Sequence, residues 1–106
     1  MKTNTIIKQT IKNGGFTPES VQGRYIVATP SNEKIVKLKR FTKSLVSAYT
    51  RLAHQQGLAI GTWAHKGKVY LDTIKGFEDL GEALDFAKMS NQLAIYDRET
   101  GQEIFL

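Results

Sequence analysis

The sequence has no cysteine and only two histidines, and both shortages limit its chemistry. Without cysteine, the 106-residue chain can form neither a disulfide nor a thiolate metal site. His54 and His65 lie on separate predicted elements and make no His-Glu-x-x-His pattern. A metal site would therefore have to gather carboxylates from several elements, and we expect neither a metal nor a cofactor.

Long apolar runs are also lacking. No window reaches the roughly 18 apolar residues that span a bilayer. Residues 1–8 (MKTNTIIK) do not contain the apolar core of a signal peptide. We expect a cytoplasmic protein with no membrane partner.

Catalytic motifs are sparse. There is no Gly-x-Ser-x-Gly elbow, and Gly14-Gly15 is not followed by the Lys-Ser/Thr of a phosphate-binding loop. Asp72, Asp79 and Asp85 could in principle pair for acid–base work. The simpler interpretation is that Asp79 caps a helix, Asp85 is solvated and Asp72 ends a strand. We predict that the protein is not an enzyme; a site dispersed over the fold is the lower alternative, because catalytic groups can meet only in space.

The apolar periodicity predicts a single α+β domain over residues 1–106. Residues 1–23 hold an N-terminal helix or strand plus a loop, and residues 24–106 form the core. Thr42 and Asp79 occupy N-cap positions, while Gly57 and Gly67 suit positive φ. The predicted elements are a helix or strand at 4–13, a strand at 24–29, a turn at 30–34, a strand at 35–38, a helix at 42–56, strands at 58–64 and 68–74, a helix at 79–90, and strands at 93–96 and 103–106.

This order predicts an antiparallel sheet of hairpins with two main helices packed on one face. Residues 24–38 are expected to form the first hairpin. The last strand, residues 104–106, is a candidate edge strand that could pair with another chain.

Positive charge is concentrated in the middle of the chain. The net charge is +5, and residues 24–51 alone carry seven basic residues against Glu33, a net charge of +6. Residues 52–106 are mildly acidic at −3. Such asymmetry can mark an anionic partner.

The basic residues continue along the predicted helix. Lys43, Ser47 and Arg51 follow at i, i+4 and i+8, opposite an apolar stripe that includes Tyr49. Charge and hydroxyl groups in this pattern suit phosphates, although a face of this kind can also serve only to keep a protein soluble. The candidate contacts for nucleic acid or another partner are Lys37, Lys39, Arg40, Lys43 and Arg51.

Most aromatic side chains are predicted to be core, because a small domain needs their burial. Trp63 alternates with Gly61 and His65 on a predicted strand. We interpret Trp63 as core, with a partly exposed anchor for a partner as the alternative. The aromatic residues on or beside predicted strands are Trp63, Tyr70, Phe77, Phe86, Tyr96 and Phe105.

Four segments of the sequence form distinctive patterns. They are Gly14-Gly15-Phe16-Thr17, the Gly-x-Tyr-x-Val of Gly23, Tyr25 and Val27, the Trp…Gly-x-Val-Tyr-Leu-Asp pattern of 61–72, and the Asn-Gln-x-Ala-Ile-Tyr-Asp pattern of 91–97. Together these segments resemble a family of small uncharacterised proteins from bacteriophages, plasmids and other mobile elements, chiefly of Gram-positive bacteria. The resemblance covers roughly residues 14–104. This chain departs from the family in having Gly61-Thr62-Trp63 where Gly-Gly-Trp is frequent, and in being basic where members tend to be acidic.

The resemblance implies an accessory protein of a mobile element, acting in the host cytoplasm. Two functions remain open. One is binding of nucleic acid or a nucleoprotein through the basic helix face. The other is inhibition of a host defence nuclease, in the manner of an anti-CRISPR protein, by binding a host protein. The positive charge opposes a DNA-mimic route, since mimics copy phosphates with acidic surfaces.

Overall fold

The computed structural model describes residues 3–106, apart from the side chains of Pro30 and Ser31. Met1 and Lys2, which belong to the predicted N-terminal segment, lie outside the described residues. The elements in chain order are α1 (Thr3–Asn13), β1 (Gly15–Phe16), β2 (Tyr25–Lys37), a 3-10 helix (Leu38–Arg40), α2 (Lys43–Gln55), β3 (Ala59–His65), β4 (Lys68–Phe77), α3 (Leu80–Met89), β5 (Ala94–Asp97) and β6 (Gln102–Phe105).

The helix ends are stabilised where the sequence predicts. The Thr42 hydroxyl accepts a hydrogen bond from the Leu45 amide at 3.4 Å, and the Asp79 carboxylate accepts one from the Glu82 amide at 2.9 Å. Both side chains satisfy amide groups that have no partner inside the helix. Gly57 follows α2 with a φ of +71°, a conformation that a side chain would strain.

The strands form one antiparallel sheet in the order β1-β3-β4-β2-β5-β6. Hairpins join β3 to β4 and β5 to β6. At the first hairpin, Lys66 and Gly67 have φ values of 50° and 76°, which match a two-residue turn with positive φ at both positions. The predicted α+β domain is confirmed, and β6 lies at an edge of the sheet.

The predicted hairpin over residues 24–38 is wrong. Residues 25–37 form one strand, and both of its halves pair with β4. The register shifts between Thr29 and Lys34, which lie opposite Thr73 and Leu71, so residues 30–33 bulge outward opposite a single residue of β4. The turn-forming composition of this segment produces a bulge because β4 offers partners to both halves.

All three helices of the described chain lie on one face of the sheet. Val69 and Leu71 pack beneath α1 and α2, and Phe77 packs beneath α3. These three residues are an even number of positions apart on β4, so their side chains point to the same face. The prediction that the two main helices share a face is confirmed. The buried residues are Ile6, Phe41, Val46, Tyr49, Ile60, Val69 and Leu71 in the first cluster, and Val27, Ala83, Ala87 and Ile95 in the second.

The other face of the sheet carries three aromatic residues that were predicted to be core. Trp63 is 52% exposed, Tyr96 is 39% exposed and Phe105 is 73% exposed. The prediction of burial is wrong for these three: it rested on the need of a small domain to bury its aromatic side chains, and these three lie on the face that the helices do not cover. Strand alternation could not reveal which face would stay open.

An ion pair joins the two halves of the chain at the end of the sheet. The Arg24 guanidinium donates to both carboxylate oxygens of Asp97, each at 2.9 Å. Hydrogen bonds from Arg24 lower the pKa of the buried Asp97 to about 2, so its carboxylate stays ionised. The two-pronged geometry fixes the ends of β2 and β5 against each other.

The loop between β1 and β2 crosses one end of the sheet face that the helices leave uncovered, which we call the open face. Arg98 donates hydrogen bonds to the carbonyl groups of Pro18, Val21 and Gly23. This holds the loop directly over Gly76, where an added Cβ would lie 2.0 Å from the Gln22 carbonyl oxygen. The open face is therefore closed at the end that carries this loop.

No helix among residues 3–106 is both long and apolar enough to cross a bilayer.

Gly76→Ala tests the close packing of this loop. The new methyl group would overlap backbone atoms, which cannot move as a side chain can, so we expect a loss of about 1–3 kcal/mol in the free energy of unfolding by urea titration. Gly81→Ala in α3 is the control, since its Cβ would overlap no backbone atom and would meet one side-chain atom, an Asp79 carboxylate oxygen, at 3.1 Å. A Gly76→Ala protein as stable as the wild type would contradict the described loop position.

Candidate functional site

The five basic residues singled out from the sequence all lie on the surface. Lys37 ends β2, Lys39 and Arg40 belong to the 3-10 helix, Lys43 begins α2, and Arg51 lies eight residues further along α2. None of the five forms an ion pair with any described residue, since the ion pairs found there are those of Arg24 with Asp97 and Glu99. Their charge is thus directed to solvent or to a partner.

Arg51 is separated from the other four. Lys43, Ser47 and Arg51 share the exposed side of α2, opposite buried Val46 and Tyr49. Eight residues of helix place Arg51 about 12 Å from Lys43 along the axis. It lines a shallow hollow of about 450 Å³ against α1, together with Thr3, Ser47, Thr50, His54 and Gln55.

The structure brings two further lysines to the first group. Lys68 lies directly opposite Lys37 on β2 and His65 on β3, so three side chains form a row across three strands. Lys66 occupies the adjoining turn, and the Leu38 amide donates to the Gly67 carbonyl at 2.9 Å, which ties the 3-10 helix to that turn. We call this surface the basic end; it comprises Lys37, Lys39, Arg40, Lys43, Lys66 and Lys68.

Sequence reasoning missed Lys66 and Lys68 because they belong to the mildly acidic part of the chain. The predicted hairpin did place both lysines at a turn. The missing step was the pairing of β2 with β4, which brings that turn beside residues 37–43. Charge counted along the chain could not show this proximity.

Beside the basic end, the uncovered face of the sheet curls into a groove of about 930 Å³, which we call the open groove. Ile26 and Ile74 form part of its lining and are nearly inaccessible, although no helix covers them. Gly61 leaves room there for Ile74, because a Cβ at this position would lie 2.8 Å from the Ile74 side chain. Phe16 on one side and Tyr96 on the other also line the groove.

An aromatic cluster lies where the open groove meets the basic end. Trp63 and Tyr70 are directly opposite each other on β3 and β4, with ring centroids 5.5 Å apart. His65 stacks on Trp63 at 5.4 Å with an interplanar angle of 25°. The indole is therefore held by neighbours while half of its surface stays accessible.

Asp72 lies further into the groove, where burial disfavours the ionised form of its carboxyl group. Asp72 is in the middle of β4, so the prediction that it ends a strand is wrong. Burial first, and the neighbouring Glu33 second, raise the pKa of Asp72 to about 6. Near neutral pH this group can accept hydrogen bonds when ionised and donate one when protonated. No histidine of the described chain lines the groove beside it.

Among residues 3–106, no group of three or more histidine, aspartate or glutamate side chains is arranged to hold a metal ion. Comparisons with protein-family models, with curated proteins and with solved structures find no match to this chain. The resemblance to small mobile-element proteins therefore stays a prediction.

Asp72→Asn should stabilise the protein at neutral pH. The pKa of Asp72 is 3.8 in the absence of the fold and about 6 within it, so the native state binds more protons between these values. Its contribution to stability consequently falls as the pH rises from about 4 to 6. We expect Asp72→Asn to gain about 1–2 kcal/mol at pH 7, less than the full shift would give because the carboxyl is partly solvated.

Urea unfolding at a series of pH values from 4 to 7 measures this effect. The variant should lose the decline in stability that the wild type shows over this range. Asp85→Asn removes the same charge from an exposed position on α3 and serves as the control, which should retain the decline. An unchanged profile for Asp72→Asn would show that the groove is more hydrated than described.

Proposed function

We propose that this protein binds nucleic acid, with the phosphates contacting the basic end. The observation that carries the proposal is the convergence of six basic residues from two separate segments, 37–43 and 66–68, none of them paired with a carboxylate among the described residues. Phosphate groups are the natural partners of such a surface, because each lysine or arginine that contacts one releases a condensed counterion.

The proposed phosphate contacts do not depend on the base sequence of the nucleic acid. Lysine and arginine at the surface fix the position of a strand but carry no information about its bases. The hollow around Arg51, lined by hydroxyl and amide side chains, offers a second phosphate position on the same helix. A strand bound along α2 could therefore reach from Lys43 to Arg51.

The proposal is for a binding protein and not an enzyme. Burial raises the pKa of Asp72 to about 6, and among the described residues that line the groove no histidine or cysteine stands beside it to complete an acid–base or nucleophilic arrangement. A role as a mobile-element accessory protein acting in the host cytoplasm, on nucleic acid or a nucleoprotein, belongs to the same proposal. It rests on the resemblance alone.

Arg40→Ala and Lys68→Ala should each weaken binding to any nucleic acid. Loss of one phosphate contact should lower the affinity about 5- to 10-fold at 0.1 M salt and reduce the slope of log K against log salt by about 1. Fluorescence anisotropy of labelled DNA and RNA strands, titrated at several salt concentrations, measures both quantities.

Lys88→Ala is the matched control, since Lys88 is an exposed lysine on α3, away from the basic end. Equal losses for all three variants would indicate only an effect of net charge. Absence of binding at low salt would overturn the proposal. In that case, a partner captured from nuclease-treated host lysate would favour the protein-binding inhibitor.

A further inference from the structure

We infer that the open groove receives the unpaired bases of a single-stranded nucleic acid, with one base stacked on Trp63. This inference rests on the proposed function and specifies its ligand. It is carried by the placement of the aromatic cluster between the basic end and a groove that no part of the described chain fills.

The first observation is the exposure of Trp63. A tryptophan in a domain of this size usually contributes to the core, yet this one is 52% exposed while small residues are buried. Its ring is held beside His65 and Tyr70 at centroid distances of 5.4 and 5.5 Å. An exposed ring in a fixed orientation loses little freedom when a base stacks on it.

The second observation is the position of Trp63 next to the basic end. Trp63 and His65 are two residues apart on β3 and point to the same face, a separation of about 7 Å. The row of His65, Lys68 and Lys37 therefore runs beside the aromatic pair, one step nearer the end of the sheet. A nucleotide can place its base on the indole and its phosphate on this row.

The third observation is the charge inside the groove. Its lining contains three acidic residues, Asp72, Glu33 and Glu103, and one basic residue, Arg98, whose guanidinium is already engaged by carbonyl groups of the loop between β1 and β2. Carboxylates repel phosphates but can accept hydrogen bonds from the N–H groups of unpaired bases, such as the ring N3–H of thymine or the amino group of cytosine. This distribution of charge orients the strand, with its backbone toward the basic end and its bases toward the groove.

The fourth observation is the shape of the groove, which selects single strands. A volume of about 930 Å³ is of the size of sites that hold small molecules, which suits individual unpaired bases. In a duplex the faces of the bases are stacked on each other and cannot reach Trp63. Unpaired bases can be splayed out onto an aromatic side chain.

The experiment uses the intrinsic fluorescence of the protein, because Trp63 is its one tryptophan. The full chain is titrated at low salt with a single-stranded oligothymidylate and with a duplex of equal length. Binding is followed in parallel by the anisotropy of a label on the nucleic acid. We expect the single strand to quench the Trp63 emission with the same saturation curve as the anisotropy, and the duplex to bind without quenching.

Trp63→Ala should lower the affinity for the single strand by about 10-fold or more and leave duplex binding unchanged. Trp63→Phe, which keeps an aromatic face, should recover most of the loss. Since the side chain is half exposed, both variants should remain folded, which thermal unfolding verifies.

The outcomes separate this inference from the proposed function. Single-strand binding without quenching, and unaltered by Trp63→Ala, would overturn the role of the groove and leave phosphate binding at the basic end intact. Binding of neither nucleic acid would overturn both. Quenching by an arginine-rich peptide, with none by the oligothymidylate, would assign the groove to a cationic partner and overturn the inference.

Discussion

The pairing of β2 with β4 is the interaction on which the rest of the structure depends. These two strands occupy the middle of the sheet. On its other side β4 pairs with β3, and β2 pairs with β5 of the β5–β6 hairpin. One face of this pair supports the helices, and the other forms part of the lining of the open groove. The same pairing places Lys37 beside Lys68, so the charge of the basic end also results from it.

Local features of the fold could be predicted from the sequence because they depend on neighbouring residues. The caps at Thr42 and Asp79 and the turn at Gly67 lie where the sequence indicated them. The bulge at residues 30–33 could not be foreseen, because it forms only when a distant strand supplies partners for both halves of β2. Local turn propensity was overridden by tertiary pairing.

The candidate site was predictable in its charge and not in its geometry. Lys37, Lys39, Arg40 and Lys43 are adjacent in sequence, and a charge count finds them. Lys68 and the groove depend on which strands are neighbours and on which face the helices cover, and neither follows from periodicity. Trp63 is the clearest example. The alternating pattern of its strand would be the same whether helices covered the face that carries Trp63 or left it open, so the pattern could not predict its exposure.

The bulge of β2 also has a mechanical consequence. The Tyr49 hydroxyl, on the inner side of α2, donates a 2.6 Å hydrogen bond to the Asn32 carbonyl, and burial raises the pKa of Tyr49 so that the proton stays in place. Asn32 is next to Glu33, which faces the groove. Asn32 is also held by Gln56, the residue that follows α2, at 2.6 Å. Two side chains at the end and inner side of α2 therefore anchor the strand segment that forms the acidic wall of the groove on the opposite face of the sheet.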